Sequence, residues 1–232
     1  AELLHACPQV KVLVTSRERL NVREEWLLSL GSLDYPAEGG NGAAGRYSAL
    51  QLFALSAQRT QPTFALDQAS LPPVVRICQL VDGMPLALEM AAAWVRVLPV
   101  AAIPGEIEKS LGFLSTSVRN VGARHSSIHA VFDHSWRLLS ERERSLLRQL
   151  SVFRHSFSRE GAEAVAGASL IELSALLDKS WIWLGSDGRY AMHALAQQYA
   201  LEQLQSGTHE KMVDVLYRHA VFYATLVPQQ GR

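Results

Sequence analysis

The chain has 232 residues, of which 48% are hydrophobic, enough for one large domain or two small ones with a buried core. Basic and acidic residues number 22 each, so the chain lacks the positive surplus that binding along duplex DNA requires. Two cysteines, Cys7 and Cys78, lack the spacing of a disulfide framework or zinc ribbon, which favours a reducing, cytoplasmic setting.

Nothing in the sequence has the pattern of a secretory signal or a membrane anchor. Residues 1–7 lack the basic start and apolar centre of a signal peptide. The most apolar stretch, 85–103, contains Glu89 and Arg96, and charges in mid-span are costly in a bilayer. We therefore expect this stretch to be a buried helix and the protein to have no membrane partner.

Two short apolar runs, 11–15 and 26–30, are typical of buried strands. Two strands alone are marginally stable, and nothing else in the first 35 residues would complete a sheet. We therefore expect these runs to be the edge of a larger domain that lies upstream, and the chain to be a fragment. Four glycines within 36–45 predict a surface loop.

Helical periodicity follows this loop. One apolar face of a first helix is formed by Leu50, Phe53, Ala54 and Ala57. A second helix is predicted to begin near Pro72, with Ser70 as its cap, and to end at Gly83 in a left-handed conformation. Pro85 suits the first turn of a third helix, and a short fourth helix fits 103–113.

The polar segment 115–127 predicts a hinge, after which helices resume from residue 128. Ser140 with Glu143, and Ser169 with Glu172, have the spacing of capping boxes and predict two helix starts. Between them lies a short predicted helix, whose cap is Ser158 and whose end is Gly167.

The spacing of the apolar residues changes once more near the C-terminus. Residues 181–184 and 189–192 flank the turn 185–188 and predict a β-hairpin, followed by a helix over 193–205. Three helices, a hairpin and a flanking helix form the element order of a winged-helix unit. A last helix, 210–226, has no obvious partner within the chain.

The chain contains no motif that predicts catalysis. None of its four lysines follows a glycine, so a G-K-[ST] phosphate loop is absent, and neither H-E-x-x-H nor G-x-S-x-G occurs. His125, His129 and His134 are close in sequence but lack a fixed carboxylate or cysteine partner. We therefore predict neither a catalytic residue nor a metal site in this chain.

Three short features could contact a ligand. Arg17 follows the predicted strand 11–15, at the end of a strand where open α/β sheets bind ligands, and an arginine there can reach a phosphate. The run Gly83-Met84-Pro85-Leu86 joins two helices and could face a flat ligand. His193 precedes a helix N-terminus, which favours anions. The structural alternatives are a surface arginine, a helix–helix corner and a partly buried histidine.

Taken in this order and spacing, these features resemble the signal-transduction ATPases with numerous domains, the NB-ARC-like class. Within that class the sequence is most similar to bacterial transcriptional regulators of the LuxR and antibiotic-regulator type. The resemblance spans about residues 1–225 and is carried by 7–20, 81–94, 127–140, 150–153, 177–180 and 189–200.

The resemblance implies a mainly α fold. Residues 1–35 would be the C-terminal edge of an α/β P-loop nucleotide-binding domain, and 46–114 a small helical domain of the ARC type. A winged-helix domain would follow over 127–206, and 209–232 would begin a helical (TPR-like) repeat region. The phosphate loop and the Mg-binding acidic strand would lie outside this chain.

The resemblance also implies roles in binding ADP or ATP with Mg. Arg17 matches the sensor arginine that contacts the γ-phosphate, and Pro85, within the run that includes Gly83 and Leu86, matches the proline that packs on adenine. His193 matches the histidine that holds the β-phosphate of ADP in the closed, inactive state. Ala194 stands where plant and animal relatives carry an aspartate.

The expected function is therefore part of an ADP-off, ATP-on switch in a bacterial transcriptional regulator. Its partners would be the upstream nucleotide domain, the effector and repeat domains of the same protein, and an oligomer formed on activation. We expect no catalysis from this chain alone and weak ATPase activity from the full-length protein.

Two alternatives have a different basis. Residues 117–160 hold eight arginines against four acidic residues, which would suit a winged-helix DNA-binding module. However, the predicted recognition helix, near 170–179, offers Leu, Ile and Glu rather than a basic face, so we do not expect this chain to contact DNA. The other alternative is a helical protein-interaction scaffold that binds no nucleotide.

Overall fold

The computed structural model describes residues 6–7, 9–16, 18–28, 30–36, 46–115 and 127–226. Within these ranges the chain is mainly α-helical, as predicted. The strands in this part of the chain form one small antiparallel sheet. None of the described helices is long and apolar enough to cross a membrane.

Among its described residues, the N-terminal helical part has four α-helices and three 3₁₀ turns. The helices are α1 (Ser48–Thr60), α2 (Leu71–Leu80), α3 (Pro85–Ala93) and α4 (Ile103–Lys109), and the turns are Trp94–Arg96, Val100–Ala102 and Leu111–Phe113. Helix α1 packs on α3 and α2 packs on α4. The predicted apolar face of α1 is confirmed, since Leu50, Phe53 and Ala57 are fully buried and Ala54 is half-buried.

The predicted cap of α2 is wrong in its chemistry. Ser70 precedes the helix, but its hydroxyl makes no cap hydrogen bond and instead donates to the carbonyl oxygen of Ala65. The reason lies in the sequence, because the second and third helical positions are Pro72 and Pro73, which have no N–H to donate. At the N-terminal end of α2, the side chain of Asp67 instead accepts a hydrogen bond from the backbone N–H of Ser70, at 2.8 Å.

The C-terminal part contains the remaining described elements. They are α5 (Ile128–Arg137), α6 (Glu141–Leu150), β1 (Ser156–Phe157), α7 (Arg159–Ala166), α8 (Leu170–Asp178), β2 (Trp183–Leu184), β3 (Tyr190–Ala191), α9 (Ala194–Gln205) and α10 (His209–Leu226). The predicted hairpin is confirmed as β2 and β3. Strand β1 was not predicted, and it pairs antiparallel with β3 to give the order β1-β3-β2.

The helix starts and stops of this part follow the local signals. Both predicted capping boxes are confirmed, at Ser140 with Glu143 and at Ser169 with Glu172. Helix α7 begins at the predicted cap Ser158 and ends at Gly167, whose φ of 60° is left-handed.

One hydrophobic core runs through both parts. Its centre in the C-terminal part is Tyr199, which is 1% exposed and packs its ring against Phe132, Trp136 and Trp181. The Tyr199 hydroxyl donates to Asp133 at 2.5 Å, so the buried polar atom is satisfied.

The predicted strands 11–15 and 26–30 are wrong for the described chain, which has no strand there. Strands need a paired edge and a buried face, and these runs have neither among the described residues. Leu13 is 95% exposed and Trp26 is 97% exposed. Nearby, Arg19 lies 3.2 Å from Asp178 at the end of α8. Most of the predicted loop, 37–45, lies outside the described residues.

The expectation that the last helix has no partner is also wrong. Helix α10 packs on α7 and α9, and Phe222 contacts Gly161 so closely that a Cβ there would lie 3.2 Å from its ring. This contact was not evident from the sequence, because Phe222 packs into a groove formed by small residues of α7, such as Gly161. Of the predicted hinge, 116–126 lie outside the described residues, while Ser115 and Ser127 form a single antiparallel bridge.

Candidate functional site

Asp82 and His193 join the N-terminal helical part to the C-terminal part. Asp82 follows α2 with a left-handed φ of 50°, and His193 stands at the start of α9. The Asp82 Oδ2 atom lies 2.6 Å from Nδ1 of His193. Their side chains are 24% and 39% exposed, so the pair is only partly screened by water.

Tyr35 occupies the other oxygen of the same carboxylate. Its hydroxyl donates to Oδ1 of Asp82 at 2.6 Å. Burial alone would raise the pKa of Asp82, but the hydrogen bonds from His193 and Tyr35 outweigh burial and lower it below the ordinary value. The pKa of Tyr35 is raised, by burial and by the hydrogen bond to Asp82. The site therefore holds an ionised carboxylate between two donors.

Gly83 allows the chain before α1 to approach this carboxylate. Its φ of 62° is left-handed, and a Cβ there would lie 2.1 Å from the carbonyl oxygen of Leu33. The backbone N–H of Leu33 donates to the carbonyl oxygen of Gly83 at 3.1 Å. This close approach places Tyr35, two residues later, within reach of Asp82.

The corner between α2 and α3 presents the predicted ligand-facing run. The N–H of Gly83 donates to the carbonyl oxygen of Cys78 at 2.9 Å, which closes the end of α2. Pro85 occupies the first helical position of α3, as predicted. Pro85 is exposed and Leu86 is half-buried, so the proline ring is accessible at the surface.

Trp183 is a further residue of the site, and the sequence analysis missed it. Its ring centroid lies 4.6 Å from that of His193, with an interplanar angle of 42°. The signal was present in the predicted hairpin. Trp183 pairs with Ala191 across the strands, and His193 follows two residues later, on the same face.

The structure therefore brings four of the five predicted site residues to one corner. Gly83, Pro85 and Leu86 follow Asp82 directly, and His193 contacts it from the C-terminal part. Arg17 lies outside the described residues, so its phosphate contact stays a prediction. Within the described ranges, no group of three or more His, Cys, Asp and Glu side chains could hold a metal ion.

The contact at this corner can hold the N-terminal helical part and the C-terminal part together. Asp82 accepts from both sides, and the contact with His193 is charged only when the imidazole is protonated. An anion that competes for the imidazole would weaken the connection.

The comparisons with known proteins give partial matches to longer mycobacterial proteins. No family model matches the chain. It is 33% identical over 236 residues to proteins of Mycobacterium bovis and Mycobacterium tuberculosis that carry the name "Putative HTH-type transcriptional regulator", a match covering 97% of this chain and 25% of theirs. The chain thus spans about a quarter of the length of these relatives.

Two further similarities are less specific. An uncharacterised protein of Mycobacterium bovis is 29% identical over 93% of this chain and 55% of its own length. Among solved structures, a signal-transduction ATPase with numerous domains and a tetratricopeptide repeat sensor from Pyrococcus horikoshii aligns with a TM-score of 0.38 and 18% identity, covering 77% of this chain and 22% of that one.

Proposed function

We propose that this chain is the helical and winged-helix part of an adenine-nucleotide switch in a bacterial transcriptional regulator. The observation that carries the proposal is the 2.6 Å contact between Asp82 and His193. It connects the run that contains the predicted adenine-packing Pro85 to the histidine predicted to hold a phosphate. The similarity to the mycobacterial HTH-type proteins supports the regulatory setting.

The winged-helix assignment is supported by element order. Helix α6, strand β1, helices α7 and α8, and the hairpin β2–β3 follow one another, and the sheet has the order β1-β3-β2. Strand β1, missing from the sequence prediction, adds a third strand to the predicted hairpin. The helices α1–α4 would then form the small helical domain beside it.

The exposed groups at the corner suit an adenine nucleotide. The Pro85 ring is accessible at the start of α3, where it could pack on a base. His193 lies at the start of α9, where the helix dipole favours an anion. A protonated imidazole donates from both nitrogens, so Nδ1 could hold Asp82 while Nε2 contacts a phosphate.

Asp82 can take the place of the aspartate that this chain lacks at position 194. Plant and animal relatives of the resembled class carry an aspartate directly after the histidine, and here that position is alanine. Asp82 supplies a carboxylate to the imidazole from another segment of the chain. In our proposal this carboxylate orients His193 and joins the two parts in the ADP-bound, closed state.

The switch would follow from differential affinity. A nucleotide shifts a conformational equilibrium only by binding one arrangement more tightly than the other. ADP that touches both Pro85 and His193 would favour the closed arrangement, and ATP would favour one in which His193 lets go. The Mg ligands and phosphate loop would belong to the upstream domain.

The charge pattern favours this function over DNA binding. Several arginines that suggested a basic patch are paired, as Arg142 with Glu172 at 2.7 Å and Arg148 with Glu141 at 2.6 Å. Helix α8, the predicted recognition helix, begins with the exposed apolar residues Leu170 and Ile171. Direct base readout would instead need Arg, Lys, Asn or Gln on this helix.

The test uses the full-length protein that contains this chain. It is purified without added nucleotide and denatured, and the released ADP and ATP are quantified by chromatography. We expect near-stoichiometric ADP from the wild type, and loss of ADP or exchange to ATP in His193→Ala and Asp82→Asn. Arg76→Gln, which removes an exposed charge on α2, is the control and should keep its ADP.

A protein that holds no nucleotide would support the alternative function, a helical protein-interaction scaffold. Absence of nucleotide from every preparation would overturn the switch and return Pro85 and His193 to structural roles. Equal ADP in the wild type and His193→Ala would remove the histidine from the mechanism.

A further inference from the structure

A cleft lies on the C-terminal part, between α6, the end of α9 and the start of α10. Its volume is about 470 Å³, within the roughly 300–1,000 Å³ of small-molecule sites. None of the residues that line it belongs to the corner around Asp82 and His193. It is therefore an independent candidate for binding a ligand.

The cleft is lined by an excess of positive charge. Arg148 from α6 and Lys211 and Arg218 from α10 line it, against one acidic residue, Asp214. Arg148 is also held by Glu141, which lies outside the lining, at 2.6 Å. Lys211 is exposed. The balance favours a ligand that carries negative charge.

Arg218 contributes a donor that lacks a partner. Its Nη2 donates to Oε1 of Gln149 at 2.9 Å and lies 3.0 Å from Oδ2 of Asp214. Its Nε is buried and has no hydrogen-bond partner among the described residues. Buried donors are rarely left unsatisfied in native proteins, so this guanidinium has a hydrogen-bonding capacity that the described residues do not meet.

The rest of the lining is mixed. It contains the polar residues Gln149, Gln203, Ser145 and Ser206 together with the apolar residues Leu204 and Val215. Ser206 also belongs to the turn that leads into α10, an 18-residue helix whose N-terminal end favours anions.

We propose that this cleft binds a small polar metabolite through a phosphate or carboxylate group held by Arg148, Lys211 and Arg218. The shared chemistry is an oxyanion, which guanidinium groups bind through paired N–H donors. Because the three cations come from α6 and α10, the bound ligand ties these helices together. This site would let a metabolite act on the fold independently of the nucleotide at Pro85 and His193.

The test follows the ¹⁵N NMR spectrum of this chain during titration. Inorganic phosphate and citrate represent the two groups, and sodium chloride at matched ionic strength is the salt control. The signals to follow are the Nε–H of Arg218 and the backbone amides of 206–218. We expect saturable shifts with one or both oxyanions and none of comparable size with chloride.

Three variants locate the site. Lys211→Gln removes an exposed cation and should leave the fold intact, so it remains informative if Arg218→Gln fails to fold. We expect the dissociation constant to rise at least tenfold in both. Arg76→Gln removes the same charge from α2, far along the chain from the cleft, and should bind like the wild type.

Each outcome decides the proposal. Tighter binding of phosphate identifies a phosphate site, and tighter binding of citrate identifies a carboxylate site; either result supports an oxyanion ligand. Equal shifts with chloride, or an unchanged dissociation constant in Lys211→Gln, would overturn it.

Discussion

The carboxylate of Asp82 lies 2.6 Å from the imidazole of His193, although 111 residues separate them in the sequence. The contact is not an ordinary surface ion pair. Its carboxylate is also held by the hydroxyl of Tyr35, at 2.6 Å, and its imidazole is covered on one side by the ring of Trp183. A partly buried, doubly held pair of this kind should contribute measurably to stability.

The first prediction is an energetic coupling between Asp82 and His193. In a double-mutant cycle of Asp82→Asn and His193→Ala, we expect a coupling of about 1 kcal/mol, since water still reaches both side chains. Urea unfolding of the four proteins at pH 6 measures it. Additive effects of the two substitutions would show that the contact contributes nothing.

A matched cycle on Arg76 and Glu108 provides the reference. This pair is also 2.6 Å apart, but both side chains are 48% exposed. Exposed pairs contribute little because water screens them, so we expect a coupling below about 0.5 kcal/mol. A coupling there as large as that of Asp82 and His193 would mean that burial is not the cause.

The second prediction concerns Gly83. An alanine there must adopt a left-handed φ, and its Cβ would meet the carbonyl oxygen of Leu33 at 2.1 Å. Gly167 has a similar φ of 60° but nothing within 4 Å of its Cβ position. Gly167→Ala should therefore cost about 1 kcal/mol from the backbone alone, and Gly83→Ala about 2–4 kcal/mol.

Thermal or urea unfolding of the two glycine variants separates strain from steric conflict. If both variants lose the same stability, the contact between Gly83 and Leu33 is not tight in solution. If Gly83→Ala loses more stability, we also expect a weaker hydrogen bond between Tyr35 and Asp82. The close approach of the Leu33 backbone to Gly83 is what places Tyr35 beside Asp82.

Features set by neighbouring residues could be predicted from the sequence. The capping boxes at Ser140 and Ser169, the left-handed end of α7 at Gly167, and Pro85 in the first turn of α3 all depend on residues a few positions apart. Their physics is local, so periodicity and cap residues suffice. The failure at Ser70 has the same origin, because the missing donors of Pro72 and Pro73 were visible in the sequence.

Features set by distant residues could not be predicted. No pattern links Asp82 to Tyr35, 47 positions away, or to His193. Strand β1 is only two residues long and forms because β3 offers it an edge. Of the candidate site, five residues were named and the predicted hairpin carried the signal for Trp183, but the carboxylate beside the imidazole appears only once the chain is folded.

The third prediction concerns Glu143 and Lys179, which join the start of α6 to the end of α8. The Lys179 Nζ lies 2.8 and 2.9 Å from the two Glu143 oxygens, and Glu143 is 9% exposed. Burial would raise the pKa of Glu143, but Lys179 and Ser140 lower it overall. Lys179→Met leaves the carboxylate without its cation and should cost about 2 kcal/mol.

Lys109→Met is the control for this loss. Lys109 also pairs with a carboxylate, Glu106 at 2.6 Å, but is 72% exposed. Its replacement should cost less than about 0.5 kcal/mol in urea unfolding. Equal costs for the two methionine variants would contradict the role assigned to burial.

The fourth prediction is acid sensitivity through Glu172. Hydrogen bonds from Arg142 and from Ser169 lower the pKa of Glu172 to about 2, from an ordinary value near 4.5. A carboxylate with a lower pKa in the folded state stabilises the fold above its unfolded pKa, and that stability is lost as the pH falls from about 4.5 towards 2. Glu172→Gln should remove this part of the acid transition.

The glutamine variant isolates the charge, because glutamine can still complete the capping box with Ser169. Arg142 is half-exposed, so we expect a loss of only about 1 kcal/mol at pH 7, shrinking to nothing near pH 2. Unfolding free energies across this pH range measure it, with Glu163→Gln on α7 as the exposed control. A constant difference between wild type and Glu172→Gln from pH 7 to pH 2 would show that Arg142 does not hold the ionised carboxylate.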